Sequence, residues 1–185
     1  MDNGACSYRR FLDGDDEGIA EIVKEYKDGL ILFLNTYVRN LSAAEELAED
    51  TFFRLIVKKP KFSGKSSFKS WLYAIGRNIA VDSLRQRRLF FESSAEESAK
   101  DPSDESNLER SYIKGERLKT VRSALSKIPN DYGRLLWLLY FEELSDEEAG
   151  VVMKKNPRQI RNLHYRAKKA LKEKLEKEGF VYEEF

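Results

Sequence analysis

Apolar side chains recur along this chain at the three-to-four-residue spacing of helices, and no stretch alternates cleanly with a period of two. From Ile19 the pattern runs through Ile22, Val23, Tyr26, Leu30, Phe33, Leu34, Tyr37 and Val38, which predicts one long amphipathic helix ending near Asn40. Residues 1–17 are polar and acidic and predict a loosely ordered arm that carries Cys6 as a reduced thiol. Ser42-Ala43-Ala44-Glu45 has capping-box spacing and predicts a second helix through Lys58, with Leu47, Thr51, Phe52, Leu55 and Ile56 on its buried face. Lys59-Pro60-Lys61 stops that helix. A short loop, Phe62–Ser67, leads to a third helix, expected from Phe68 to about Arg88 with Phe68, Trp71, Leu72, Ile75, Ile79 and Leu84 inward.

Residues 89–110 change character to Ser, Glu and Asp with few apolar positions after Phe91, the pattern of a linker. Leu118, Val121, Leu125 and Ile128 then mark a helix from Glu116 to Ile128. Pro129-Asn130-Asp131 is expected to break it and cap an unusually apolar helix, Tyr132 to Glu142. Ser145-Asp146-Glu147-Glu148 is a further capping box, opening a short helix to Met153. After the turn Lys154-Lys155-Asn156, Asn156 can cap a last helix with Pro157 in its first position, running to about Lys177. Helix, three-residue turn, helix is the helix-turn-helix arrangement, whose second helix enters the major groove of DNA. The fold class is all-α, with two small helical domains joined by an acidic linker.

A wheel of the last helix puts Ile160, Leu163, Ala167 and Leu171 on one side. Arg158, Asn162, Tyr165 and Lys169 lie opposite, flanked by Arg161 and Arg166. Arg can bond guanine in a bidentate manner and Asn can bond adenine, while lysines such as Lys168, Lys169 and Lys172 neutralise phosphates. His164, the only histidine, falls beside the apolar face and reads as a boundary packing residue.

Charge sharpens this picture. The net charge of +1 hides segregation: residues 61–88 carry a net of +6, residues 92–109 a net of −6, and residues 154–174 a net of +8. Two basic blocks around an acidic spacer suggest two polyanion-binding surfaces. A single cysteine excludes an internal disulfide and a zinc knuckle. No apolar run approaches membrane-spanning length and no signal-peptide pattern opens the chain, which predicts a cytoplasmic protein that is not itself membrane-inserted. No metal-ligand spacing, phosphate-binding glycine loop or nucleophile motif is present, so no enzyme, cofactor, metal or small-molecule substrate is expected. No heptad seam persists, which argues against a coiled coil. An ordinary helix-turn-helix regulator stays open at this point, although it leaves the basic, aromatic third helix at 61–88 without a role.

Several strings carry a resemblance to a known family. Glu45-Glu46-Leu47-Ala48-Glu49-Asp50-Thr51-Phe52-Phe53-Arg54-Leu55 resembles the second helix of sigma domain 2. Phe68-Lys69-Ser70-Trp71-Leu72-Tyr73-Ala74-Ile75-Gly76-Arg77-Asn78-Ile79-Ala80-Val81-Asp82-Ser83-Leu84-Arg85 resembles its promoter-reading helix. Ile128-Pro129 and the stretch from Leu144 to Leu171 resemble sigma domain 4. The chain is thus similar to bacterial sigma factors of the extracytoplasmic-function (ECF) group, which direct RNA polymerase to promoters. The resemblance implies an arm at 1–18, domain 2 at 19–90, the linker at 91–111, domain 4 at 112–177 and a tail at 178–185.

It further implies that Glu46, Glu49, Asp50 and Phe53 dock on the clamp helices of core RNA polymerase. Phe62, Ser63, Lys65, Ser66, Ser67, Phe68 and Trp71 would hold and flank an unpaired base of the −10 element, with Trp71 read foremost as a core residue. Arg77 and Asn78 would read or clamp the −10 duplex edge, and Arg85, Arg87 and Arg88 its phosphates. Arg158, Gln159, Arg161, Asn162, Tyr165, Arg166 and Lys169 would bind the −35 element, with domain 4 on the polymerase flap. An anti-sigma factor is implied as a further partner. The acidic linker would lie in polymerase channels, lie against the basic helices of free sigma, or serve as a plain tether. Gly76 and Gly150 depart from the family's usual alanine inside helices, each at about 1 kcal/mol of helix propensity. Lys155 and His164 stand where the family tends to be apolar.

Overall fold

The computed structural model describes residues 2–93, 124–125 and 127–177. The chain divides into two compact units, Met1–Glu109 and Arg110–Phe185. Every regular element among the described residues is a helix, in agreement with the all-α expectation.

The first unit holds α1 (Asn3–Leu12), α2 (Glu17–Val38), α3 (Leu41–Lys58) and α4 (Phe68–Ser93). Helix α2 is central and packs on the other three. Its buried side chains therefore exceed a single stripe: Leu30 through Asn35 are buried without a break. The core is completed by Leu41, Ala44 and Leu55 of α3 and by Phe68, Leu72, Tyr73 and Ala80 of α4.

Helix α1 corrects the expectation of a loose arm. Asp2 caps it, accepting from the Ala5 amide (3.2 Å), and its face of Gly4, Ser7, Tyr8 and Phe11 is buried. Two large rings removed from water outweigh the polar composition that suggested disorder. Cys6 is half-buried on this packed helix and not in a mobile terminus. The cap of α3 is also corrected. Asn40, in an extended conformation, accepts from the Ala43 amide (2.8 Å), so the helix begins two residues early and Ser42 lies inside it. Asn and Ser are comparable caps, and the buried Leu41 favours the earlier start. The helix ends at Lys58, as expected, with Lys59 left-handed at φ 43°. Helix α4 runs to Ser93, beyond Arg88 and three residues into the expected linker. The rest of that linker, most of the 116–128 helix and the 178–185 tail lie outside the described residues.

The second unit shows a helical turn at Ala124–Leu125, then α5 (Asn130–Tyr140), α6 (Asp146–Met153) and α7 (Pro157–Lys177). Pro129 occupies the cap position of α5 and offers no side-chain bond, so Asn130 opens the helix as a helical residue and is not its cap. Helix α5 stops at Tyr140, short of Glu142. The indole of Trp137 donates to the buried Glu142 carboxylate (3.1 Å), and Trp137 stacks on Phe141 at 4.3 Å. The capping box of α6 is complete, with Glu148 N donating to Ser145 Oγ (3.2 Å) and Ser145 N to Glu148 Oε2 (2.9 Å). Helices α5, α6 and α7 pack on one another around Leu135, Leu136, Leu138, Val152, Ile160 and Ala167.

The two unexpected glycines have a packing reason. A Cβ on Gly76 would lie 3.1 Å from Leu30 Cδ1 and 3.2 Å from Thr51 Oγ1, where α4 crosses α2 and α3. A Cβ on Gly150 would lie 2.9 Å from the Lys155 carbonyl, because the turn after α6 folds back over it. Lys155 itself reaches Asp131 Oδ2 (3.3 Å), which accounts for a cation at an apolar position.

Candidate functional site

Three surfaces collect the residues singled out in the sequence. The first is the loop between α3 and α4. Its tip, Ser63, Gly64 and Lys65, is exposed, with Gly64 at φ 70°. Phe62 is half-buried and leans on Phe68 (5.6 Å between centroids) and Trp71 (5.2 Å). Phe68 is fully buried and belongs to the core, not to a nucleic-acid surface. Ser67 is engaged in capping α4, its Oγ accepting from the Ser70 amide (3.3 Å). Ser66 is half-buried. Trp71 is half-buried within an aromatic cluster, 5.3 Å from Tyr8 and 5.4 Å from Phe68.

Further along α4, Arg77 and Asn78 are half-buried and joined, Arg77 Nη1 donating to Asn78 Oδ1 (3.3 Å), while the Arg77 Nε is buried without a partner. Arg85, Arg87 and Arg88 are exposed on the last turns.

The second surface is a stripe on α3. Glu46, Glu49, Asp50 and Phe53 are all exposed, Phe53 at 62%. Ile56 and Val57 continue it, 43% and 53% exposed. Ile56 was expected in the core. The stripe at steps of three and four residues faces away from α2 and α4, and Leu55 takes the inward position instead. Three apolar side chains flanked by carboxylates suit a protein partner with an apolar groove and a basic rim.

The third surface is the outer face of α7. Arg158, Gln159, Arg161, Asn162, Tyr165, Arg166, Lys168, Lys169 and Lys172 are exposed, Tyr165 at 74%. Ile160 and Ala167 are buried beneath them. Gln159 is less free than its exposure suggests. Its Oε1 accepts from the Asn156 amide (2.9 Å) while its own backbone amide donates to Asn156 Oδ1 (2.9 Å), a reciprocal cap that leaves the Nε2 group and one Oε1 lone pair for a ligand. Lys169 and Lys172 sit 4.0 Å and 3.9 Å from Glu173 and Glu176, exposed pairs too weak to keep the lysines from phosphate. His164 is half-buried, with Nδ1 3.2 Å from Asp146 Oδ1 and Nε2 3.4 Å from Tyr140 Oη. It bridges α5, α6 and α7, in keeping with the packing expectation.

Residues 22–90 match the family model for sigma-70 region 2, a stretch that takes in most of α2, all of α3, the loop and nearly all of α4. ECF RNA polymerase sigma factor SigW of Bacillus subtilis is 26% identical over 170 residues, 88% of this chain and 91% of that protein. RNA polymerase sigma-H factor of Pseudomonas aeruginosa is 26% identical over 174 residues, 88% and 89% of the two chains. Over residues 22–90 the chain is thus similar to sigma-70 region 2, and over most of its length to ECF sigma factors. Among solved structures, the sigma factor RpoE of Bartonella quintana, in complex with the anti-sigma factor NepR, is similar with a TM-score of 0.66 and 22% identity, over 85% of this chain and 96% of that one. CnrH, in complex with the cytosolic domain of CnrY, gives a TM-score of 0.67 at 18% identity, over 95% and 98%. Both likenesses are of fold.

The sequence expectations left out Ile56 and Val57 from the α3 surface, and Asp2 and Tyr8 beneath the loop. The signal for the first pair was their place three and four residues after Phe53. The signal for the second was weak, an Asp-Asn start followed by Tyr8 and Phe11 at helical spacing. No described helix is long and apolar enough to cross a membrane.

Proposed function

We propose that this chain is a sigma factor that binds core RNA polymerase and directs promoter-specific initiation through two DNA-reading surfaces. Residues 19–90 act as domain 2, with the 62–67 loop holding an unpaired −10 base and Arg77, Asn78 and the terminal arginines of α4 on the adjoining duplex. Residues 112–177 act as domain 4, with the outer face of α7 in the major groove of the −35 element and the domain on the polymerase flap. Residues 91–111 link them. The α3 stripe docks on the clamp helices. An anti-sigma protein is a further partner, in line with the complexes in which two proteins of similar fold were solved. The protein works in the cytoplasm, where its polymerase and DNA are.

The observation that carries this reading is the region 2 match across α2–α4, in the same chain as a helix-turn-helix with an exposed basic face. An ordinary helix-turn-helix regulator has no use for that front unit. In vitro transcription from a pool of promoter fragments, with core polymerase plus and minus this chain, tests the proposal. Chain-dependent transcripts sharing two spaced upstream elements are the expected result. A silent core, with the chain alone still binding particular duplex sites, would favour the regulator and remove the domain 2 assignment.

A further inference from the structure

The loop between α3 and α4 is tied at both ends to α1. Tyr8 Oη donates to the Pro60 carbonyl (2.8 Å), just before the loop. At its far end the Phe68 amide donates to Asp2 Oδ2 (2.6 Å), while Asp2 Oδ1 caps α1 itself. Between these points the floor of the loop is aromatic. Phe62 packs on Phe68 and Trp71, and both of those rings pack on Tyr8, at 5.5 Å and 5.3 Å. A fourth tie, Lys59 Nζ over the Phe11 ring at 4.8 Å, holds the residue that ends α3. Between the two ties Lys61 and the tip at Ser63, Gly64 and Lys65 are exposed.

We infer that α1, through Tyr8 and Asp2, positions the 62–67 loop for capture of an unpaired promoter base. The inference rests on the sigma reading above and adds to it two positioning residues outside the stretch that matches region 2. A loop held only by its own chain must lose conformational freedom when a base enters it. A loop already fixed at both ends and along its floor has lost that freedom on folding, so more of the stacking and edge bonding appears as affinity. The Tyr8 phenol, which burial pushes up to about 12, is a donor throughout the physiological range. Asp2 couples the two elements directly, since one carboxylate serves the first turns of both α1 and α4.

Tyr8→Phe keeps the ring and its aromatic contacts and removes the bond to Pro60. Asp2→Ala removes the other tie from an exposed position. The experiment uses holoenzyme assembled from core polymerase and the full chain. Its probe is a fluorescent single-stranded non-template −10 oligonucleotide in which an abasic site is moved through the element. The native protein is expected to show one position where loss of the base weakens binding by roughly tenfold or more, the size of a stacked base. Each variant should shrink that ratio by roughly three- to tenfold, the size of one hydrogen bond, while its affinity for the oligonucleotide already abasic there stays near native. A merely structural role would lower intact and abasic binding together and leave the ratio alone. An unchanged ratio in both variants overturns the inference and leaves the sigma reading standing. Absence of any base-dependent position in the native holoenzyme would overturn the held-base reading, and this inference with it.

Discussion

Asn156 and Gln159 cap each other at the start of α7: Gln159 N donates to Asn156 Oδ1 and Asn156 N donates to Gln159 Oε1, both at 2.9 Å. The pair fixes the angle at which the chain enters the helix that carries Arg158, Arg161 and Asn162. Asn156→Ala is expected to destabilise the second unit by about 1 kcal/mol. Urea unfolding followed by Trp137 fluorescence, in a Trp71→Phe background that silences the first unit, reads this directly. Gln159→Ala should cost a similar or smaller amount and weaken binding to all −35 sequences alike. A base-specific effect of Gln159→Ala would mean that its remaining Nε2 reads a base.

Gly150 offers a test in which propensity and packing disagree. Helix propensity alone favours Gly150→Ala by about 1 kcal/mol. The added Cβ would meet the Lys155 carbonyl at 2.9 Å, and the Lys155 amide is itself bonded to the Gly150 carbonyl (3.0 Å). Backbone must move, so a net loss of about 1–2 kcal/mol is expected, within the usual range for overpacking. A gain in stability in the same unfolding assay would show that the turn yields freely.

Helix bounds were legible where a cap, a proline or a charged stop coincided with the apolar period. The ends of α3 at Lys58 and α6 at Met153 fall where those signals put them. Errors arose where two signals of equal local strength competed, as with Asn40 and Ser42, and only the burial of Leu41 decides between them. The surface residues of α7 were legible because one helix wheel separates them from Ile160 and Ala167. Tyr8 and Asp2 were not, because their partners Pro60 and Phe68 lie more than fifty residues away in the chain. No local pattern encodes such a contact. Phe68 drew two readings, inward on the third helix and beside the held base, since an aromatic residue bordering a loop reads alike whether it faces the core or a base; its full burial favours the first.

The junction of α1 and α2 gives a pH dependence. Ser7 donates to Glu21 Oε2 (2.6 Å), and Arg10 reaches both Glu21 (2.8 Å) and Asp15 (2.7 Å). The Ser7 hydroxyl, then Arg10, holds the Glu21 carboxyl below its ordinary value, and Arg10, then the Glu17 amide, does the same for Asp15. A depressed folded-state value stabilises above the unfolded-state value, and the contribution is lost as pH falls through the folded one. Arg10→Met should therefore melt lower than native at pH 6 and approach native below about pH 3–4, where the carboxylates are protonated. These groups are exposed, so high salt should shrink the difference too. Melting curves of the full chain across this range check it, and a gap independent of pH would exclude the carboxylates as its source.

The exposed α3 stripe separates binding from stability. Phe53 has more than half its surface in water, so Phe53→Ala should change unfolding by less than about 0.5 kcal/mol. If the stripe docks on polymerase, the same change removes an apolar anchor, expected to weaken core binding by roughly tenfold or more. Val57→Ala should act in the same direction, more weakly. Fluorescence anisotropy of labelled protein titrated with core polymerase measures both. Native affinity in both variants would move the polymerase contact off this face.

The two DNA surfaces predict effects that divide by promoter half. In the proposed arrangement Arg161, exposed on α7, reads the upstream element, whereas Asn78, half-buried beside Arg77 on α4, acts on the downstream one. A good bidentate base contact is worth about 1–3 kcal/mol against the wrong base. Arg161→Ala should therefore relax discrimination among upstream variants by roughly tenfold and leave downstream preferences intact, and Asn78→Ala should do the reverse. Lys168→Ala, a phosphate neutraliser by position, should instead weaken every promoter about equally and reduce the salt slope of binding by about one counterion. Open-complex formation on a promoter set varied in one half at a time, at two salt concentrations, distinguishes these outcomes. If Arg161→Ala and Asn78→Ala each weakened every sequence equally, both would be backbone contacts, and base reading would have to be sought among Asn162, Arg158 and the exposed tip of the 62–67 loop.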